Sequence, residues 1–250
     1  RLAADAGLHL LIEKPLSTSL EGIGQLQQTV EDKKLIASVA YVYRADPALA
    51  AMKRVLDSGR FGAPVQIVAV SGQNFPSFRP AYRETYYRDH ATGGGAIQDA
   101  MTHVLNAGEW LVGPIDRLVA DAAHQILPDV DVEDTVNIIT RQGNVLGSYS
   151  LNQHQAPNES TITVICERGT VRFEFHRHRW CWMTDDDWQM EDTETIERDT
   201  LFIRQASAFL DAVESHASPL CRLEEGLQTL RVNLAALASV DQQQWQTLTR

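Results

Sequence analysis

The chain is 250 residues long, 44% hydrophobic and 22% charged, which is enough apolar material for one or two globular domains with a true core. Its 22 Lys and Arg are dispersed among 33 Asp and Glu, for a formal charge of -11, so no basic face remains to follow phosphates and nucleic acid is excluded as the expected partner. Three cysteines, Cys166, Cys181 and Cys221, form no CxxC and cannot all pair, which favours a reducing, cytoplasmic compartment; no apolar run approaches the roughly 18 residues that a membrane helix needs, and a leader would lie upstream of Arg1.

Arg1 to Ala6 reads as a helix closed by Gly7, with no initiator Met and no strand ahead of it. Nowhere does a Gly-x-Gly-x-x-Gly follow a strand and open a helix, so the chain reads as truncated and is expected to hold a dinucleotide weakly by itself. Leu8 to Ile12 is a continuous apolar run and Leu35 to Tyr43 nearly one; both suit strands buried on both faces. Between them Ser17 or Ser19 is expected to cap a helix ending near Asp32, a strand-helix-strand crossover of the kind that builds parallel sheets. After Arg44, Pro47 starts a helix whose apolar positions Leu49, Met52, Val55 and Leu56 recur until Gly59 stops it, and Val65 to Val70 reads as a strand.

Residues 72 to 92, rich in aromatic, Arg and Pro residues with no steady period, read as a long functional or mobile loop. Gly95 to Leu111 is a central helix closed by Gly113-Pro114. From Ile115 to about Met190 the pattern is antiparallel: hairpins turn at Gln142-Gly143-Asn144, Arg168-Gly169 and Asp185-Asp186-Asp187. Val136, Ile138 and Thr140 alternate with Asn137 and Ile139, so the sheet lacks a uniformly polar side and is expected to bury its second face against another subunit. Helices over Leu201 to His216 and Glu224 to Ser239 finish the chain.

The chemistry concentrates in two places. Lys14 ends a buried strand and precedes a proline, which delivers an ammonium to the carboxyl edge of a sheet, where open α/β folds place ligands. An ammonium hydrogen-bonded to a reacting hydroxyl stabilises developing alkoxide. Asp99 and His103, four apart behind Gly93-Gly94-Gly95, point from one helix face, with His103 the candidate general base and Asp99 its orienter or a grip on a substrate hydroxyl. The plain readings are a sheet-edge salt bridge for Lys14 and a solvated helix pair worth a few tenths of a kcal/mol for Asp99 and His103; the glycines, which let a ligand approach backbone closely, favour catalysis. Tyr82 and Arg83, with Tyr86 and Arg88, are candidates for the wall of a polyol pocket or for a protein-contacting cover. His176-x-His178 lie on one strand face and Cys181 on the other, so no metal site is expected there. A metal-dependent hydrolase or isomerase built on Asp99, His103, His90 or Glu109 is a rival that would leave Lys14 idle. A catalytically silent sugar-binding or assembly protein is another.

Taken in order, Ala6 to Leu16 with its Glu13-Lys14-Pro15, Tyr43-Arg44 with Pro47, Arg60-Phe61-Gly62, Gly93-Gly94-Gly95-x-x-x-Asp99-x-x-x-His103 and Glu133-Asp134-Thr135 resemble the Gfo/Idh/MocA family of NAD(P)-dependent oxidoreductases. The resemblance spans nearly the whole chain. It implies an α/β plus α+β fold: a remnant of a Rossmann domain over residues 1–45, then an α/β domain over 46–250 with a large, mostly antiparallel sheet that forms homo-oligomers, the last helices packing back on the first segment. It implies NAD or NADP as cofactor and a small sugar or polyol as substrate. Lys14 and His103 would act on the transferred proton, with Asp99 as catalytic partner; Glu13, Lys14 and Pro15 would flank the nicotinamide and Arg44 would serve the cofactor; Tyr82, Arg83, Asp99 and His103 would bind substrate. One departure is Asn106, where the family commonly has Asp.

Overall fold

A computed structural model of the chain describes residues 1–156, 158–192 and 196–248. Helix α1 (Leu2–Asp5) ends against Gly7, which takes the left-handed backbone that its missing side chain permits. Strand β1 (Leu10–Ile12) leads through α2 (Ile23–Asp32) to β2 (Ala37–Val39), which pairs with β1 in parallel. The helix starts later than expected. Ser17 and Ser19 spend their hydroxyls on the amides of Ser19 and Glu21, forming turns, and Gly22 occupies the cap position instead. The second strand is also shorter than its apolar run, because residues 42–45 tighten into a 3-10 turn that carries Asp46 to the start of α3 (Pro47–Asp57). There Asp46 Oδ1 accepts from the Ala48 and Leu49 amides and Pro47 sits at the first helical position.

Strand β3 (Pro64–Gly72) enters the main sheet. The following stretch is no open loop. It folds as α4 (Phe75–Phe78) and three 3-10 turns over residues 80–84, 86–88 and 90–92, around a small core of Phe75, Tyr82, Tyr87, Leu127, Val130 and Val132. The expected central helix divides into a π-helical turn, Ile97–Met101, and α5 (Thr102–Val112), closed by Gly113. Strands β4 (Arg117–Ala123), β5 (Thr135–Gln142), β6 (Val145–Asn152), β7 (Glu159–Cys166), β8 (Gly169–Glu174), β9 (Arg179–Met183) and β10 (Gln189–Asp192) follow, then α6 (Arg198–Ser215), α7 (Leu223–Gln242) and the short β11 (Gln246–Thr247).

Nine strands form one sheet in the order β10-β9-β8-β7-β3-β6-β5-β4-β11, antiparallel except where β3 lies parallel to β6. β5 and β6 alternate in the antiparallel manner: Val136, Ile138, Val145, Tyr149 and Leu151 are buried on the helix-covered face, where α5 packs on β6, α7 on β4 and α3 on β8 and β9. The opposite face mixes Val68, Val70, Ile139, Leu146 and Ile165 with Asn137, Arg141, Ser148 and Arg172. A second, smaller core joins Ile23, Leu26, Ala37, Val39 and Tyr41 to Leu223, Leu227 and Leu230, so α7 binds both halves of the molecule. Gly226 makes that contact possible, since a Cβ there would stand 2.3 Å from Val39. The carboxyl end of β1 and the start of the central helix thereby come to face one cleft.

Candidate active site

Lys14 leaves β1 at its carboxyl end, just before a cis bond to Pro15, and its ammonium crosses to the central helix. Nζ donates to Asp99 Oδ1 at 2.8 Å and to the Asp99 carbonyl oxygen at 2.7 Å. Both side chains are nearly enclosed, 14% and 6% exposed. Tyr86, from the segment after β3, donates its hydroxyl to the same Oδ1 at 2.6 Å. Burial alone would raise the Asp99 carboxyl; the Lys14 ammonium, and behind it the Tyr86 hydroxyl, hold it below the ordinary carboxylate value. Burial, and then the Asp99 charge, push the Tyr86 phenol well up, so at neutral pH it is a proton donor.

His103 stands one turn further on. Its ring stacks on Tyr43 at 5.5 Å between centroids and meets Tyr41 edge-on, while Nδ1 is buried without a hydrogen-bond partner among the described residues. Burial first, then the Lys14 ammonium, push the imidazole down to about 3. The ring is therefore neutral across the physiological range, not poised near 6.5 as its unperturbed chemistry suggests. No hydrogen bond joins Asp99 to the ring among the described residues: Asp99 Oδ1 accepts from Lys14 and Tyr86, and His103 Nδ1 has no partner. Beside Asp99 and Tyr86 lies a cavity of about 200 Å³, lined also by Phe75, Arg79, Tyr82 and Thr85.

Several sequence expectations land elsewhere. Arg44, expected to serve the cofactor, is buried and pins structure: its Nε donates to Asn106 Oδ1, and its Nη1 to the Leu220 carbonyl and Glu225 Oε1. Asn106 explains itself in the same contact, since its amide accepts from Arg44 and donates to Thr229 Oγ1, a donation that Asp could not make. Arg83, expected to grip substrate, pairs with Asp129 away from the cavity, and Tyr82 offers only its ring because its hydroxyl donates to the Pro128 carbonyl. Arg79 lines the cavity instead, its charge acting on both Asp99 and His103. Nothing in the sequence marked Arg79 over the neighbouring arginines.

The rival metal constellation is dispersed. Glu109 lies at the far end of α5, bonded to the Ile115 amide, Gln228 and Thr229, while His90 meets Glu133. Among the described residues no three His, Cys, Asp or Glu side chains are grouped to hold a metal ion, and no helix is long and apolar enough to cross a membrane. All three cysteines are buried and unpaired.

Residues 49–172 match the GFO/IDH/MocA C-terminal domain. The levoglucosan dehydrogenase of Pseudarthrobacter phenanthrenivorans is 27% identical over 200 residues, covering 70% of this chain and 51% of that protein. The scyllo-inositol 2-dehydrogenase (NAD(+)) of Bacillus subtilis is 38% identical over 119 residues, covering 44% of this chain and 30% of its own length. The chain thus spans about half the length of the first of these relatives, and less of the second. In fold it is similar to a levoglucosan dehydrogenase solved with NADH and levoglucosan, with a TM-score of 0.89 at 23% identity over 99% of this chain and 75% of that one. The strand-end lysine joined to the glycine-led helix, the sheet that follows and these likenesses agree, and residues 49–172 belong to the GFO/IDH/MocA C-terminal domain family.

Proposed function

We propose that this chain carries the substrate site and catalytic groups of a nicotinamide-dependent oxidoreductase that moves hydride at a hydroxyl or carbonyl carbon of a sugar, polyol or related compound. One observation carries the reading: the Lys14 ammonium is locked onto Asp99, which lines the cavity, and its charge acts on the neutral His103 one turn further along the helix. The residues fit a nicotinamide. Glu13, Lys14 and Pro15 follow a parallel strand at the edge where such folds bind ligands, and His103 offers a buried nitrogen without a hydrogen-bond partner among the described residues. When bound, the nicotinamide supplies the hydride acceptor that no side chain provides.

Lys14 has two N–H groups on Asp99 and one left for a substrate hydroxyl, which it would orient and acidify. His103 would take that hydroxyl's proton as the carbon loses hydride. Its weak basicity suffices, because a carbonyl still carrying its proton is a strong acid. Asp99 keeps Lys14 aimed, and Tyr86 closes the substrate side. Residues 1–45 form the cofactor side in this reading and residues 46–250 the substrate and assembly side. The mixed open face of the nine-stranded sheet would seat a second subunit, which light scattering on the native protein and on Leu146→Asp would test. The buried, unpaired cysteines support a cytoplasmic setting.

The test is reduced-nicotinamide formation by the native protein with levoglucosan, scyllo-inositol and related polyols, using NAD and NADP separately. Lys14→Met and His103→Asn are expected to cut turnover by about 10² to 10⁴-fold while the cofactor dissociation constant stays within a few-fold. Near-normal turnover by His103→Asn would remove His103 from the mechanism, and sugar binding without turnover would favour a silent member of the fold.

A further inference from the structure

One buried carboxylate that the reaction does not use holds the whole approach to the catalytic helix. Glu133 lies just before β5 and is 7% exposed. Its Oε1 accepts from the Ile97 amide at 2.8 Å, at the first residue of the π-helical turn. Its Oε2 meets His90 Nε2 at 2.5 Å. Its backbone carbonyl accepts from the Ala96 amide at 2.9 Å and from the Tyr87 hydroxyl at 3.4 Å. Gln98 Nε2, on the helix side, donates to the His90 carbonyl at 3.0 Å. The glycine run is shaped around this carboxylate: Gly95 takes φ +85, and a Cβ there would stand 2.5 Å from Glu133 Oε2.

The first amides of a helix have no acceptor within the helix, and an anion placed there is favoured. A local Ser, Thr, Asp or Asn at the cap ordinarily supplies the oxygen. Here the residues that open the helix, Gly94, Gly95 and Ala96, carry no side-chain acceptor, so the oxygen for the Ile97 amide comes from a residue 36 positions later in the chain. The helix start is thus capped from the segment that leads into β5, while Gln98 also ties it to the preceding turn. Asp134 performs a separate task next door, accepting from the amides of Gln125, Ile126 and Leu127.

We propose that Glu133 is a positioning residue for the reaction: one carboxylate sets the catalytic helix two residues before Asp99 and, through His90, sets the loop that carries Tyr86, so the acceptor Asp99 and the donor Tyr86 of the Lys14-Asp99-Tyr86 cluster are placed from a single point. The proposal rests on the dehydrogenase reading above. A 1 Å displacement of reacting groups costs about 10²-fold in rate, which is the scale on which such an anchor acts. The charged groups facing His90 are Glu133 and Asp89, and the Glu133 hydrogen bond holds the imidazole above its ordinary value.

The test compares Glu133→Gln, Glu133→Ala and His90→Gln in the holoprotein. Glu133→Gln keeps an oxygen for the Ile97 amide, so it is expected to retain at least about tenfold more kcat than Glu133→Ala, with KM for the sugar or polyol changed less than kcat in both. His90→Gln is expected to act mainly on KM. In parallel, the His90 ring resonances should titrate at lower pH in Glu133→Gln than in the parent protein, a readout independent of turnover. Equal kcat in the glutamine and alanine variants with losses that track Tm would mean a purely structural role, and an unmoved His90 titration would mean no anchor; either overturns the proposal. Absence of turnover in the unmodified protein would instead fault the dehydrogenase reading, leaving the titration to decide the anchor.

Discussion

Replacing His103 by Asn removes a titration that the fold makes costly. In the folded chain the imidazole is pushed down from 6.5 to about 3, first by burial and then by the Lys14 ammonium. Between those values the unfolded chain binds a proton that the folded chain refuses, so stability rises with pH through the window and is lost as pH falls below about 6.5. The gap corresponds to about 5 kcal/mol when fully expressed near pH 3, and linkage gives about 2 kcal/mol already lost at pH 5 relative to pH 8. Urea unfolding at pH 8 and pH 5, followed by tryptophan fluorescence, measures the penalty in the parent protein and in His103→Asn. The variant should lose about 2 kcal/mol less between the two pH values, since other titrating groups are common to both. An identical penalty in the two proteins, or a His103 ring resonance titrating near 6.5 in the folded protein, would refute the argument.

Lys14→Met leaves the Asp99 carboxylate, 6% exposed, without its cation, and should cost about 3 kcal/mol; adding Asp99→Asn should recover more than half, read as Tm, and equal Tm for the single and double variants would contradict this. Gly95→Ala meets both a positive φ and the Glu133 carboxylate, so a loss of about 2 kcal/mol together with turnover is expected; unchanged thermal unfolding would show the turn to be adaptable. Glu109, raised to about 7 by burial against an ordinary 4.5, binds a proton in the folded chain that the unfolded one releases, so its contribution is present at low pH and lost as pH rises through 7. Glu109→Gln should therefore stabilise at pH 8 by roughly 3 kcal/mol and little at pH 4.5, a difference that urea midpoints at the two pH values would reveal.

Local chemistry made much of the fold legible. Pro47 at a helix start, the apolar positions that recur along α3 and the hairpin at Gly143 each act within a few residues, so sequence order is enough to see them. The same holds for Lys14 beyond a strand end and for Asp99 and His103 one turn apart along the chain, in the π-helical turn and in α5. Where side chains compete locally the reading failed, as when Ser17 and Ser19 made turns rather than a helix cap.

The remainder depended on partners far away in the chain. The insertion of β3 between β6 and β7, parallel to one and antiparallel to the other, has no local signature because either edge would satisfy its hydrogen bonds. Arg44 carried a sequence that suits a cofactor contact and became a pin, since Asn106, Leu220 and Glu225 reach it only in the folded chain. By itself the sequence determined which chemical groups the site can use: an ammonium, a carboxylate and an imidazole, each on an element whose local pattern presents it. Only the tertiary structure decided their state, joining Lys14 to Asp99 and Tyr86, leaving His103 neutral, and anchoring the helix on Glu133. Desolvation and charge proximity are properties of the packed neighbourhood, and residues up to 85 positions apart build that neighbourhood here.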